Sequence, residues 1–357
     1  MLLGFAITTA FVPGIIGATV NTSWAVMWLV MPILLLRCKI EVTLIHILGS
    51  LFLSYAALSL VWSPHGFLEF MQLLALASVF VCGYTLKDLR SVTIGLSLGL
   101  VISAFVAALQ YLQVDIPILN FSKFSGLFIN PNIYAEVSGL ILILLIVNKL
   151  WWYIPLTAPG LLVSSRAVVL ALGISLAMFT WSKSKLLSVV IIISSWVIAL
   201  KLSDITYSGG LVEGISVNAS SLNIRIGMWS DMLANLSLFG YGIGSFVYVF
   251  PEINKHLDTT VSIAEFAHND LLQLIFELGI GAIPLILIVA YLLRVSHEYR
   301  NALAYFLIIG AFGFPLHMPV TGFIIALVAA QLVKFSLGSR TTSDSRGPIL
   351  FNRMETA

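Results

Sequence analysis

His268, Arg166 and Arg225 are the residues of this chain best placed to do chemistry, because each interrupts apolar sequence that has no structural need of it. An imidazole takes a proton from a weakly acidic group near neutral pH. A guanidinium makes two-pronged contacts with phosphate oxygens. His268 opens the segment His268-Asn269-Asp270, with Gln273 and Glu277 following. Asn269, Gln273 and Glu277 fall at i, i+4 and i+8, so a helix carries them as one polar stripe. A capped helix with an interfacial histidine is the plainer alternative. Arg225 lies in Asn223-Ile224-Arg225, with Trp229 one turn on. Gly240-Tyr241-Gly242-Ile243-Gly244-Ser245-Phe246 comes next. The backbone of Gly242 and Gly244 can cradle a phosphate or simply make a tight turn; no Lys-Ser/Thr pair follows, so this is not a nucleotide P-loop. Arg166 follows Ser164-Ser165, where an arginine can also snorkel to headgroups. The fourth polar segment is Phe124-Ser125-Gly126-Leu127-Phe128-Ile129-Asn130-Pro131-Asn132. Pro131 suits the first position of a helix, but a cap alone leaves Glu136, one turn from Asn132 and on its side, without a purpose.

The elements that must position these groups are membrane helices. Of 357 residues 59% are hydrophobic and 10% charged, against roughly 25% charged in a soluble domain. The net charge of +2 gives no footprint for nucleic acid. Runs of about twenty apolar residues make spans, expected at 2–20, 23–36, 42–62, 67–86, 91–113, 132–148, 151–164, 166–182, 186–202, 267–293, 301–316 and 319–335. The fold expected is therefore all-α, a polytopic bundle of about twelve helices over residues 1–338. Residues 2–20 lack a basic n-region and are expected to be a retained helix, not a signal peptide. Arg37 and Lys39, Lys87 and Arg90, Lys149, Lys183 and Lys185, and Arg294 and Arg300 fall on alternate connections, which places these connections and both termini in the cytoplasm. Cys38 and Cys82 fall near cytoplasmic helix ends and form no CxxC pair, so no disulfide is expected. All four polar segments then lie on the outer face. Residues 203–266 make a large outward loop, too apolar for a linker, in which Ile224, Met228, Met232 and Leu236 repeat at helical spacing with Asn223 as N-cap. Residues 339–357 are polar and expected to be a disordered cytoplasmic tail.

In combination, Gly126 to Asn132, Ser165-Arg166, Arg225 with Trp229, Gly240 to Gly244 and His268 to Gln273 resemble the O-antigen ligase and polymerase family over about residues 115–280. The order of the five motifs, more than any one of them, carries the resemblance. It implies a glycosyltransferase of the bacterial inner membrane, working at its periplasmic face on a glycan carried by undecaprenyl diphosphate. The acceptor is the lipid A–core in a ligase and another lipid-linked glycan in a polymerase, with ligase slightly favoured. Carried over by motif, Arg166 and Arg225 bind the donor diphosphate and His268 is the base. Asn130, Asn132, Asn269, Gln273, Gly242 and Gly244 complete the substrate site. Activity is then expected to fall on the acid side as His268 protonates.

No Asp-x-Asp or Glu-x-Asp pair occurs in the sequence, so the expectation is a reaction without a metal or other cofactor, in which arginines neutralise the diphosphate. The competing class is a transporter or flippase, which would also retain charges at membrane depth. Polar groups gathered at one face instead of the midplane argue against it, and a non-catalytic scaffold needs neither arginines nor histidine. The topology is tested by cysteine substitution at Ser165, Ser237 and Ser262 with an impermeant thiol reagent. All three should label from outside in cells with a permeabilised outer membrane; protection of Ser237 would reverse the topology.

Overall fold

In lipid an unpaired backbone group costs several kcal/mol, so apolar chain folds into helices that satisfy their own hydrogen bonds. The computed structural model describes residues 43–112, 125–128, 131–162, 165–207, 220–254 and 264–344, with Met1 and Leu3. All regular structure among them is helical. The helices are α1 (Leu44–Ser59), α2 (Phe67–Thr85), α3 (Arg90–Tyr111), α4 (Pro131–Val147), α5 (Ala158–Leu162), α6 (Arg166–Thr180), α7 (Lys185–Tyr207), α8 (Ser220–Ala234), α9 (Phe246–Ile253), α10 (Asp270–Leu278), α11 (Ile283–Leu292), α12 (Arg300–Gly310) and α13 (Pro319–Asp344).

Helix α4 is the post around which the rest is arranged. It is apolar on every side, and a helix of that kind belongs in the interior; residues 133–141 are buried without a break. Helices α3, α6, α12 and α13 pack around it. Gly139 lets α12 come close, since a Cβ there would overlap the Tyr305 hydroxyl, which donates to the Glu136 carbonyl at 3.0 Å. Outside this core α13 packs on α2, α7 on α6 and α11 on α1. The outer side of α7 leaves Leu186, Ile193, Trp196 and Ile198 exposed, the surface a lipid-facing helix presents.

Among the described residues four stretches are long and apolar enough to cross a membrane: Pro64–Thr85, Arg90–Tyr111, Asp270–Leu292 and Pro319–Leu337. Leu44–Ser59, Pro131–Val147, Arg166–Thr180 and Arg300–Gly310 are apolar but shorter. The expected spans 2–20, apart from Leu3, and 23–36 lie outside the described residues. The expected span 151–164 is not one helix: a 3-10 segment at Trp151–Thr157 leads into the five-residue α5, because Pro155 and Pro159 each remove a helical donor. The span expected at 267–293 starts at Asp270 and is interrupted at Gly279, whose φ is +52°. Helix α12 stops at Gly310, short of the expected 316, ahead of Gly313 and Pro315.

Several boundaries in the expected loop and tail also move. Helix α7 runs to Tyr207, and α8 starts at Ser220, so Asn223 lies inside a helix and is not its cap. Met228 and Met232 are buried as the spacing requires, while Ile224 and Leu236 are exposed. Met228 and Met232 join Phe246 and Phe250 of α9, Ala267 and Phe276 in a small second core beside the main one. Helix α13 continues to Asp344, six residues into the segment expected to be disordered.

Candidate functional site

The site is built on Ala267, both of whose backbone polar groups are held. Its N–H donates to Gln273 Oε1 at 2.9 Å, and its carbonyl accepts from Trp229 Nε1 at 2.8 Å. His268 follows with a left-handed backbone, φ +53°, a conformation that costs a side-chain-bearing residue roughly 1–2 kcal/mol. Asn269 returns the chain to extended geometry and caps α10, its Oδ1 accepting from Leu272 N–H at 3.0 Å. His268 is thus aimed by a strained turn whose two flanks are fastened.

Residues 311–318, between α12 and α13, come against this turn. Phe314 meets the His268 ring at 5.0 Å, edge to face, and stacks on Phe266 at 4.6 Å. The Phe312 carbonyl accepts from Arg225 Nη1 at 2.9 Å. Asp270 takes the Leu316 N–H on Oδ2 at 2.8 Å and the His317 imidazole Nδ1 on Oδ1 at 3.0 Å. Glu136 is buried in the second turn of α4, its Oε1 3.4 Å from where a Cβ on Gly313 would stand. It lies within electrostatic reach of both Arg225 and Asp270. Burial works against the Arg225 guanidinium and Glu136 works for it; an arginine in this setting stays charged. Three of the four polar segments of the sequence therefore converge, through Glu136, Arg225 and His268.

The protonation of His268 differs from the sequence expectation. Burial, and then the positive charge of Arg225, push it down to about 4. The imidazole is then neutral through the physiological range, and an acid limb from its own protonation belongs near that lower value instead of near neutrality.

The other expected site residues are not all gathered at this turn. Arg166 is exposed at the first position of α6, behind the Ser165 cap, and its side chain makes no hydrogen bond to another described residue. Asn132 is exposed at the start of α4. Asn130 lies outside the described residues. Asn269 is a helix cap, with its carboxamide oxygen committed to the backbone. Gln273 is buried and joins Ala267 to Glu277, donating to Glu277 Oε1 at 3.1 Å. Its carboxamide is bonded to Ala267, Glu277 and His317, which makes it a positioning group for the turn.

Gly242 and Gly244 are likewise structural, because the N–H groups they were expected to offer a phosphate are taken. Gly242 donates to the Glu277 carbonyl at 2.7 Å and Gly244 to Glu277 Oε2 at 2.9 Å. Ile243 between them donates to Ser59 Oγ at 3.0 Å. Glycine is required by conformation and space: both have positive φ, and a Cβ on Gly244 would stand 2.7 Å from Glu69 Oε2.

No protein-family model matches this chain, and no curated protein matches it. The functional reading rests on the residues themselves. Sequence reasoning passed over His317, although the alternation of charges put the connection between the last two spans on the same face as His268. Ala-Phe-Gly-Phe-Pro-Leu-His-Met-Pro at 311–319 marks that connection as irregular chain. Gln110 was also missed: its carboxamide oxygen takes the N–H groups of Ser125 and Gly126 at 2.9 Å each and so holds the segment 125–128.

Gly242→Ala and Gly244→Ala should each destabilise the detergent-purified protein by about 1–3 kcal/mol, read as a lower thermal midpoint. Affinity of the folded fraction for a lipid diphosphate should stay within about twofold. A fall in affinity with an unchanged midpoint would return these glycines to phosphate binding.

Proposed function

We propose that this chain is a membrane glycosyltransferase that moves a glycan from undecaprenyl diphosphate to an acceptor hydroxyl at the periplasmic face, an O-antigen ligase with a lipid A–core acceptor in preference to a polymerase. The observation that carries the reading is the meeting of Arg225, a neutral His268 and Glu136 where three separate segments converge beside apolar helices. The twelve-span topology, with both termini in the cytoplasm and residues 203–266 outside, belongs to the same proposal. Arg166 would join Arg225 on the donor.

In the reaction the bond from the anomeric carbon to the diphosphate oxygen breaks and a bond to the acceptor oxygen forms. The leaving diphosphate gains charge, which a guanidinium meets with paired N–H donors. Arg225 commits one nitrogen to Phe312, which orients the rest of the group. The acceptor hydroxyl must lose its proton. A neutral imidazole that titrates near 4 is a weak base toward a free alcohol, so His268 takes the proton late, after the oxygen has begun to bond to carbon and become acidic.

His268→Ala should lower single-turnover rate by roughly 10² to 10⁴ and leave donor affinity almost unchanged. Arg225→Ala and Arg166→Ala should weaken donor binding as well, by about 1.5–3 kcal/mol for each charge-assisted hydrogen bond removed, and Arg→Lys should restore part of it. If His268→Ala binds donor poorly yet turns over normally at saturation, the histidine binds substrate, and Glu136 or Asp270 is the base.

Because the sequence has no paired acids to hold a divalent ion, transfer by purified protein should persist in EDTA. A steep drop that Mg²⁺ or Mn²⁺ restores would overturn the assignment of charge neutralisation to arginine.

A further inference from the structure

His317 has no place in the mechanism above, yet it is tied to the turn that aims His268. The Ala267 N–H can only donate, so the Gln273 atom facing it is the carboxamide oxygen. The amide nitrogen then points to Glu277 Oε1 at 3.1 Å and to His317 Nε2 at 3.3 Å. An amide nitrogen only donates, so His317 Nε2 presents its lone pair. The imidazole proton is therefore on Nδ1, directed at Asp270 Oδ1 3.0 Å away.

A proton added to Nε2 would set N–H against N–H. Gln273 can relieve that only by turning its carboxamide over, which points its nitrogen at the Ala267 N–H and puts its oxygen beside the Glu277 carboxylate. The turn before His268 then keeps the Trp229 contact alone.

We propose that His317 is a positioning residue for His268, acting through Gln273 and Ala267, and that it holds the turn only while Nε2 is unprotonated. Protonation of His317 would then release His268 from its aim without touching the His268 ring itself.

The surroundings make that proton available. Burial lowers the affinity of His317 for it, but Asp270, with Glu277 and Glu69 behind it, outweighs burial and raises the imidazole above its ordinary value. Asp270 and Glu277 face it from α10 and Glu69 from α2, and no other described group acts on it. Phe266 covers one side of the ring at 4.8 Å. A cavity of about 30 Å³ beside His317, lined by Glu69, Gln72, Gln273 and Glu277 among others, has room for a water molecule that could deliver the proton. His268 and His317 thus titrate on opposite sides of 6.5, the first near 4 and the second above.

The test is solid-state nitrogen NMR on full-length protein, labelled at histidine and held in lipid bilayers, with signals assigned through His317→Gln and His268→Gln. At about pH 9, above the ordinary imidazole range, His317 should be the neutral Nδ1–H form. As pH falls, the His268 resonance should shift in step with protonation of His317, well above the pH at which His268 itself titrates. In His317→Gln, whose side-chain oxygen can accept from Gln273, the early shift of His268 should vanish. An Nε2–H form of His317, or a His268 signal indifferent to its titration, overturns the proposal.

The activity arm rests on the glycosyl-transfer reading: the acid limb of kcat should lie above 6.5 and move down by more than about one pH unit in His317→Gln, with donor KM unchanged. A limb that stays in place overturns the proposal. Spectroscopic coupling without glycosyl transfer at any pH would support the inference and sink the functional reading alone.

Discussion

The carboxamide of Gln273 cannot turn over without setting its nitrogen against a backbone N–H and its oxygen against a carboxylate, and the arrangement around His268 depends on that one-way fit. Its oxygen serves Ala267 and its nitrogen serves Glu277. Glu277 in turn holds Gly244 and, at 3.4 Å, Phe246. One buried amide therefore joins the strained turn that aims His268 to the glycine turn that opens α9. Each bond is of ordinary strength, a net 0.5–1.5 kcal/mol or somewhat more where a carboxylate accepts. The set is stiff because each partner, if released, would be a buried polar group with nothing else to bind.

The distribution of acids follows from the same need for donors. Glu69 and Asp270 occupy first turns of α2 and α10, where exposed N–H groups and the helix dipole favour negative charge. Glu136 sits one turn deeper in α4 and lies within the field of Arg225. The carboxylates gather at one end of the bundle because that is where helix starts α2, α4, α10 and α13 come together with irregular chain able to supply donors. Arg225 and the His268 turn arrive there from outside the bundle proper.

What could be read from the sequence was the part written in local pattern. Apolar runs between basic connections give α2, α3, α4 and α6 with boundaries within a few residues, because in such runs hydropathy and helix formation agree. The pattern fails where backbone chemistry interrupts an apolar run: Pro155 and Pro159 turn an expected span into short helical pieces, and Gly279 divides another. At the site, Arg225, His268 and Glu136 were legible as charges without a local purpose. Gln273 and Glu277 were legible as a polar stripe, but not as positioning groups, because their partners are backbone atoms that no residue type announces. His317 was illegible as a partner of Asp270, since they are 47 positions apart in the chain and only the packing of residues 311–318 against α10 joins them.

The interruption at Gly279 bears on how the chain is assembled. Beyond it, a continuous helix would have answered the Phe276 and Glu277 carbonyls from its own next turn. Here Tyr241 and Gly242 answer them, and Ile280 N–H reaches out to the Leu238 carbonyl. The stretch Asp270–Leu292 accordingly cannot complete its backbone pairing in isolation, as a simple inserted helix does. Its final seating needs residues 238–243, whose Ile243 is bonded through its backbone to Ser59 and Ser63. The backbone pairing of this span and that of residues 238–242 are completed together or not at all.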